Sequence, residues 1–404
     1  MSEPKFLQLH FLTSYPASLL NRDDVGLAKR VPFGGTSRIR ISSQCLKRHW
    51  RTAEDSYALS NLGLPMSLRS RKIFEKEILP PLVREGFSEN AVRIVLDEVS
   101  KLLLGKSVGK RKQEEEVEDA GTATAETNQV IVLGRPEIQY ILNWTRTLLQ
   151  QFSDDPKALK KHPDNLGARG KEMRQNFEAL AKNCKAPLGL DAALFGRMVT
   201  SDILSRGDAA VHVAHAFTVH GEEVEADYFT AVDDLVAETE ELGSAHLGET
   251  ELTSGLFYGY VVVDIPQLVS NIEGCDRKEW QSADRTLAGQ VVEHLVHLIA
   301  TVSPGAKRGS TAPYSYAHLL LAECGQRQPR TLANAFLKPV DLTRGDVLKS
   351  AVLALSEYLQ NFDRMYGREE ERRVAAIVDL SAFPAEKVAS LKDLATWCNL
   401  MVKT

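Results

Sequence analysis

Residues 6–12, FLQLHFL, alternate Phe6, Leu7, Leu9 and Phe11 with Gln8 and His10, and this period of two predicts a strand. A turn-rich loop follows, SYPASLLNRDDVGLAKRVPFGG, punctuated by Pro, Asn, Asp and Gly. Arg38-Ile39-Arg40-Ile41 then alternates basic and branched apolar residues, which predicts a half-buried strand with two arginines on one face. Ser42 or Ser43 offers an N-cap for a helix running through QCLKRHWRTAEDSYALS, residues 44–60. On that helix Gln44, Lys47, Arg48 and Arg51 share a face, while Leu46 and Trp50, four apart, can anchor the opposite side in the core.

From about 60 to 190 the pattern turns helical and polar, with apolar positions at helical spacing in IFEKEILPPLV, ENAVRIVLDEVSKLLL and RPEIQYILNWTRTLLQQF. Between the last two lies residues 105–129, a low-complexity charged stretch that has too little apolar surface to order itself. Strand patterns return in GRMVTSDILS and AAVHVAHAFTVH. An acidic segment, residues 221–255, is bracketed by strands, the second being LFYGYVVVDI, so an extended hairpin or protruding loop is expected there. The remainder predicts a helix (283–302), a loop (SPGAKRGSTAP), a strand (314–323) and two further helices (343–367 and 385–401). Strands and helices thus interleave around one long insertion, and no repeat of 20 to 50 residues occurs.

At 404 residues with 43% hydrophobic and 25% charged side chains, the composition is that of an ordinary globular protein. No apolar run reaches the roughly 20 residues of a membrane span, and the first sixteen residues carry Glu3 without a long apolar core, so neither a membrane nor a secretory signal is expected. Five scattered cysteines without a CxxC pair fit a reduced cytoplasm and speak against a disulfide framework or cysteine zinc site.

The net charge of −5 hides a local excess of the opposite sign. No Asp or Glu occurs between Asp24 and Glu54, a stretch holding Lys29, Arg30, Arg38, Arg40, Lys47, Arg48 and Arg51. A one-sign block implies an anionic partner. The strand–helix junction adds Ser and Gln hydrogen bonders and a helix N-terminus, together a site for backbone phosphates. Arg22, in the loop just before, and Lys307-Arg308, in the Gly-flanked PGAKRGS, can extend it; taken singly, each is more often an ordinary surface charge.

Other chemistry is weaker. Asp23-Asp24 could hold a divalent metal for RNA cleavage, although adjacent carboxylates in NRDD more often build a turn. His212 and His215, if on one strand, face opposite ways, which speaks against a shared metal, and His294 and His297 lack an HExxH context. Walker A loops, GxGxxG and serine elbows are missing from the sequence. Tyr228-Phe229 in the acidic segment can pack back on the fold or stack on bases, and Met198 can add apolar contact.

The residues SLLNRDDVGLAKRVPFGGTSRIRISSQCLKRHWR resemble the N-terminal signature of the CasC-type backbone subunits of Cascade, the type I-E CRISPR surveillance complex. FGRMVTSD, VAHAFTVH, DYFTAVDDL, GSAHLG, TSGLFY and SPGAKRGS are similar to later motifs of that family in the same order, over about residues 6–340. The resemblance implies an α+β fold shaped as a right hand. A palm on a modified ferredoxin-like (RRM-like) core would take 1–58, 191–217 and 251–404, helical fingers 59–190, and a thumb 218–250. It implies a non-catalytic subunit, without cofactor or metal, that polymerises in several copies, six by the family pattern, along the crRNA. Such a subunit presents guide bases to a target DNA strand in antiviral defence, beside a large subunit, a small subunit and two subunits at the crRNA ends.

Carried over by position, Arg22, Ser42, Gln44, Lys47 and Arg51 would hold guide phosphates, and Met198 and Phe229 would wedge into the heteroduplex where a base is flipped out. Cys45 stands where the motif commonly has serine, and Tyr228 where relatives often have tryptophan. The alternative from another class is a metal-dependent endoribonuclease acting through Asp23 or Asp24.

Overall fold

The computed structural model describes residues 3–104, 130–152, 171–180, 184–197, 204, 207–231, 246–343 and 345–404. The chain forms two compact units, one of residues 1–61, 211–265 and 285–404, the other of 62–210 and 266–284. The charged stretch 105–129 lies outside the described residues.

A large, mostly antiparallel sheet organises the first unit. Its strands are β1 (Phe6–Ser18), β2 (Arg30–Phe33), β3 (Thr36–Ile41), β6 (Val211–Val213), β7 (Ala216–Thr218), β8 (Val224–Ala231), β9 (His246–Asp264), β10 (Leu319–Gly325), β11 (Glu371–Ala376) and β12 (Glu386–Lys387). They run in the order β12-β11-β10-β1-β9-β7-β3-β2, with β6 and β8 also on β9. Helix Val347–Tyr366 covers one face through Leu355, Leu359 and Ala351, packed on Leu12, Tyr258 and Leu321. Helix Leu391–Lys403 packs on helix Thr286–Thr301 and lies over β10 and β11, where the Arg373 guanidinium stacks on the Trp397 ring 5.3 Å away.

Because helices cover both faces, β1 is buried on its polar positions too, and Gln8 and His10 are 2% and 0% exposed. The strand continues past residue 12 to Ser18, with a shift of register at Pro16-Ala17. Proline has no N–H to offer the ladder, and the Ala17 N–H donates instead to Ser254 Oγ. The loop before β3 contains β2, which the sequence pattern did not reveal; Gly34 and Gly35, both at positive φ, make the two-residue hairpin turn. A side chain at Gly34 would also collide with the Leu337 carbonyl.

Burial of His10 is accompanied by a polar network. His10 Nε2 donates to Glu323 (3.0 Å), its Nδ1 accepts from the Tyr258 hydroxyl (2.9 Å), and that hydroxyl accepts from the Leu332 N–H. Arg330 forks onto both Glu323 oxygens at 2.6 and 2.8 Å, and Arg372 joins Glu323 to Asp363. Burial alone would raise the Glu323 carboxyl; the hydrogen bonds from Arg330 and His10 outweigh it and hold the group well below the usual carboxylate range.

Arg38 differs from expectation. It shares a face with Arg40, but is 0% exposed and donates to the carbonyls of Phe33, Thr218 and Phe336. It is a strut between β3 and distant backbone rather than an anion ligand. Arg38→Met should lower unfolding stability by about 3 kcal/mol, since three buried acceptors lose their donor; a denaturant titration with unchanged slope would measure it.

The second unit is helical. Helices Glu89–Leu104 and Arg135–Gln151 follow the predicted spacing and bury Val92, Val95, Leu96, Val99, Ile138, Ile141, Leu148 and Leu149 with Ile73, Phe74, Met173 and Phe177. Strands β4 (Leu68–Ser70) and β5 (Ile131–Leu133) add a short antiparallel ladder. A buried ion pair, Arg197–Glu137 at 2.6 Å, ties the start of helix Arg135–Gln151 to the chain leaving helix Leu190–Phe195. No helix among the described residues is long and apolar enough to cross a membrane.

Candidate nucleic-acid interface

The basic junction is built on α1, Ser43–Arg51. Ser42 is its N-cap, accepting the Cys45 N–H on its hydroxyl. Leu46 and Trp50 are buried as predicted, which turns Gln44 and Arg48 to solvent, with Lys47 and Arg51 half-buried beside them. The helix ends at Arg51, nine residues before the predicted end. Thr52 hydroxyl turns back to the Arg48 carbonyl, and the Asp55 carboxylate accepts the Tyr57 N–H, so local side-chain bonds compete with the next helical turn.

The expected cluster of available N–H groups at the helix start is smaller than the sequence suggested. The Ser43 N–H donates to His215 Nδ1 at 2.9 Å and the Cys45 N–H is taken by Ser42. Anion binding here therefore rests mainly on side chains. His215 is one residue that motif reasoning assigned to no role in the site; its function is to hold α1 at its origin, from the short gap between β6 and β7.

The loop before the junction is fixed by Asn21, whose side chain accepts the Ser42 N–H and whose carbonyl accepts the Lys29 N–H. Arg22 bridges to Ala28 across this loop and is exposed. Asp23 Oδ1 accepts the N–H groups of Val25 and Leu27, and the Asp23 N–H donates to the Leu27 carbonyl at 2.7 Å. This is turn-building, with Gly26 at positive φ completing the bend. Asp24 is exposed.

The PGAKRGS segment meets the same place. The Ala306 N–H donates to the Leu19 carbonyl, and Arg308, exposed on a single helical turn (Arg308–Thr311), bears on Cys45 and His49 of α1. Burial pushes the Cys45 thiol up to about 11 although Arg48, Lys29 and Arg308 pull the other way. Burial likewise lowers His49, with Arg308 and Arg48 adding to the shift. Lys29, Arg48 and Arg308 therefore converge on one patch, and Lys29 is a member that could have been found from its place in the acid-free run. Lys307 reaches sideways, its Nζ donating to Thr250 Oγ1 on β9.

Of the remaining cations Arg30 and Arg38 are structural, while Arg40 lies with Lys29 beside His215 at the start of α1. Arg30 pairs with Glu222 (2.7 Å) and with Glu251, and Arg40 Nε donates to the Arg30 carbonyl. These pairs anchor the root of a hairpin, β8 on β9, whose register puts Tyr228 opposite Glu249 and Phe229 opposite Gly248. Tyr228 is 69% exposed. The Phe229 side chain and all of Met198 lie outside the described atoms.

The histidines have separate duties. His220 Nδ1 donates to the Gly221 carbonyl while its Nε2 accepts from the Leu256 N–H, and His294 meets the carbonyls of Tyr57 and Ala58.

Fold and site together define an α+β protein presenting a cation-rich strand–helix junction beside an acidic hairpin. Residues 7–400 match the family model described as CT1975-like protein, and the chain belongs to that CT1975-like Cas family. Among solved structures it is similar to a chain of a "CRISPR RNA-guided surveillance complex, pre-nicking", with 27% identity and a TM-score of 0.73 over 98% of this chain and 100% of that one. A second similarity, in fold alone, is to a chain of a "CRISPR RNA-guided surveillance complex", with 22% identity and a TM-score of 0.55 over 98% of each. No curated protein sequence matches.

Proposed function

We propose that this chain is the non-catalytic, guide-binding backbone subunit of a type I-E Cascade, polymerising along crRNA and presenting its bases to a target DNA strand. The observation that carries this reading is the convergence of Lys29, Arg48 and Arg308 around Cys45, with Gln44, Lys47 and Arg51 on the same helix α1 and Arg22 in the loop that Asn21 ties to the Ser42 cap. Such a surface grips a sugar-phosphate spine without reading sequence, and leaves specificity to base pairing. The solved structure to which the chain is 27% identical is part of a CRISPR RNA-guided surveillance complex, in keeping with that role.

In this reading residues 1–58, 191–217 and 251–404 are the ferredoxin-like palm, 59–190 the fingers and 218–250 the thumb. Met198, Tyr228 and Phe229 serve the flipped base. Its neighbours are further copies of the chain and the large, small and crRNA-end subunits.

The test is to purify the tagged full chain from cells expressing a CRISPR array and its partner subunits, then sequence the bound nucleic acid. Protected guide RNA in large assemblies is the expected result; a chain free of nucleic acid beside processed guides and the partners would overturn it.

The endoribonuclease alternative is tested directly. Asp24→Ala should leave RNA binding within twofold of the parent and reveal no Mg²⁺-dependent cleavage to lose. Asp23→Ala should loosen the 22–28 loop, where two N–H groups lose their acceptor at a cost of about 1–2 kcal/mol, seen as faster amide exchange there.

A further inference from the structure

Two tyrosines stand in solvent a few residues beyond Arg308. Tyr314 and Tyr316 are 72% and 70% exposed, whereas Pro313 is buried and Ser315 half-buried. Their backbone is held firmly. The Ser315 N–H donates to Ser303 Oγ, which in turn donates to the Ser315 carbonyl, both at 2.9 Å. The Tyr314 N–H donates to the Ala312 carbonyl, Ala317 to Ala300 and His318 to Leu12. Large aromatic surface exposed on a pinned segment is costly to leave in water and points to something that covers it.

What surrounds the rings identifies the class of partner. No Asp or Glu occurs between Glu293 and Glu323, a second acid-free run as long as the one holding α1. Gly305 seats both sides of the segment at once: a Cβ there would lie 2.7 Å from the Pro313 ring and 3.1 Å from the Arg308 stem. The exposed Arg308 guanidinium and the tyrosine segment are therefore continuous, and Arg308 bears on α1. Cations next to rigid, exposed aromatic faces are the composition of a single-strand binding surface, where phosphates meet the cations and bases stack on the rings.

We propose that Tyr314 and Tyr316 form a stacking platform for unpaired bases of a single-stranded nucleic acid whose phosphates run past Arg308. This rests on the guide-binding reading and adds a base-contacting site to it, distinct from the hairpin. Ring stacking tolerates any base, so the platform leaves sequence choice to pairing.

The test titrates the full-length chain with fluorescein-labelled 30-nucleotide oligonucleotides: uridine RNA, thymidine DNA, and an abasic strand of equal charge. Tyr314→Ala/Tyr316→Ala should weaken the RNA by about 5- to 150-fold for each tyrosine and leave the abasic strand within twofold. Tyr314→Phe/Tyr316→Phe should retain affinity, since the ring and not the hydroxyl stacks, and also controls for misfolding. Arg308→Ala should weaken all strands. Loss confined to RNA assigns the platform to the guide; equal loss on DNA assigns it to single strands of either sugar. If the alanine pair leaves RNA affinity unchanged, or weakens the abasic strand as much, the platform is overturned while guide binding stands, and the tyrosines belong to a protein contact. Parent protein that binds no strand, alone or with its partner subunits, overturns both.

Discussion

Replacing Lys47 and Arg51 together with alanine is expected to strip the chain of guide RNA during purification. Each side chain, if it meets a phosphate, supplies a charge-assisted hydrogen bond of about 1.5–3 kcal/mol, so each loss lowers affinity roughly tenfold or more. The loss should be the same for any guide sequence. It should also reduce the slope of log K against log salt by about 0.7 for each single-strand phosphate contact removed. Titrations of two unrelated guides at four salt concentrations measure both quantities. A change in sequence preference would contradict the backbone-gripping assignment. Both residues sit on the half-buried flank of α1, with Leu46 and Trp50 keeping the helix in place, so the fold should survive the exchange.

The second large effect concerns stability. Glu323→Ala removes the carboxylate that faces Arg330, Arg372 and His10, leaving the buried Arg372 with Asp363 and Glu370 only. Breaking a buried ion network from one side costs about 3–5 kcal/mol, a large part of the 5–15 kcal/mol typical of a native protein. Denaturant midpoints at pH 7 would show it.

The parent should also lose stability in acid. The Glu323 carboxyl is lower in the folded state than in the unfolded chain, so its contribution is complete above the ordinary carboxylate value of about 4.3 and disappears as pH falls through the folded value. Burial also holds His10 below its ordinary value, Glu323 pulling the other way. The unfolded chain therefore takes up a proton there first, and stability declines already below about pH 6.5. His10→Gln should flatten the upper part of that decline, and Glu323→Ala the lower part.

Much of this fold was legible because its elements are long and periodic. Helices Glu89–Leu104 and Arg135–Gln151 and the start of α1 followed from apolar spacing and caps. Short elements were not: β2 has four residues with a proline, β12 has two, and β11 was passed over beside longer helices. Gln8 and His10 looked like an outward face because period alone says nothing of a helix covering the second side.

The charge block was legible as a unit, yet not residue by residue. Arg38 and Arg40 share a spacing with true surface cations, and only the approach of Thr218 and Phe336, distant in sequence, turns Arg38 into a core strut. In the same way His215 could not be assigned to α1 from a sequence that separates them by 172 positions.

One strand, β9, spans both the centre of the sheet and the outer hairpin. Its 19 residues extend about 60 Å at ~3.3 Å each. The hairpin therefore has no flexible neck on that side; its direction is set by the twist of the sheet. Tyr228 is joined through the β8–β9 ladder, and then the β9–β1 ladder, to the centre of the sheet. The projection is thus an outward continuation of the sheet itself, clamped at its root by Arg30 and its two glutamates.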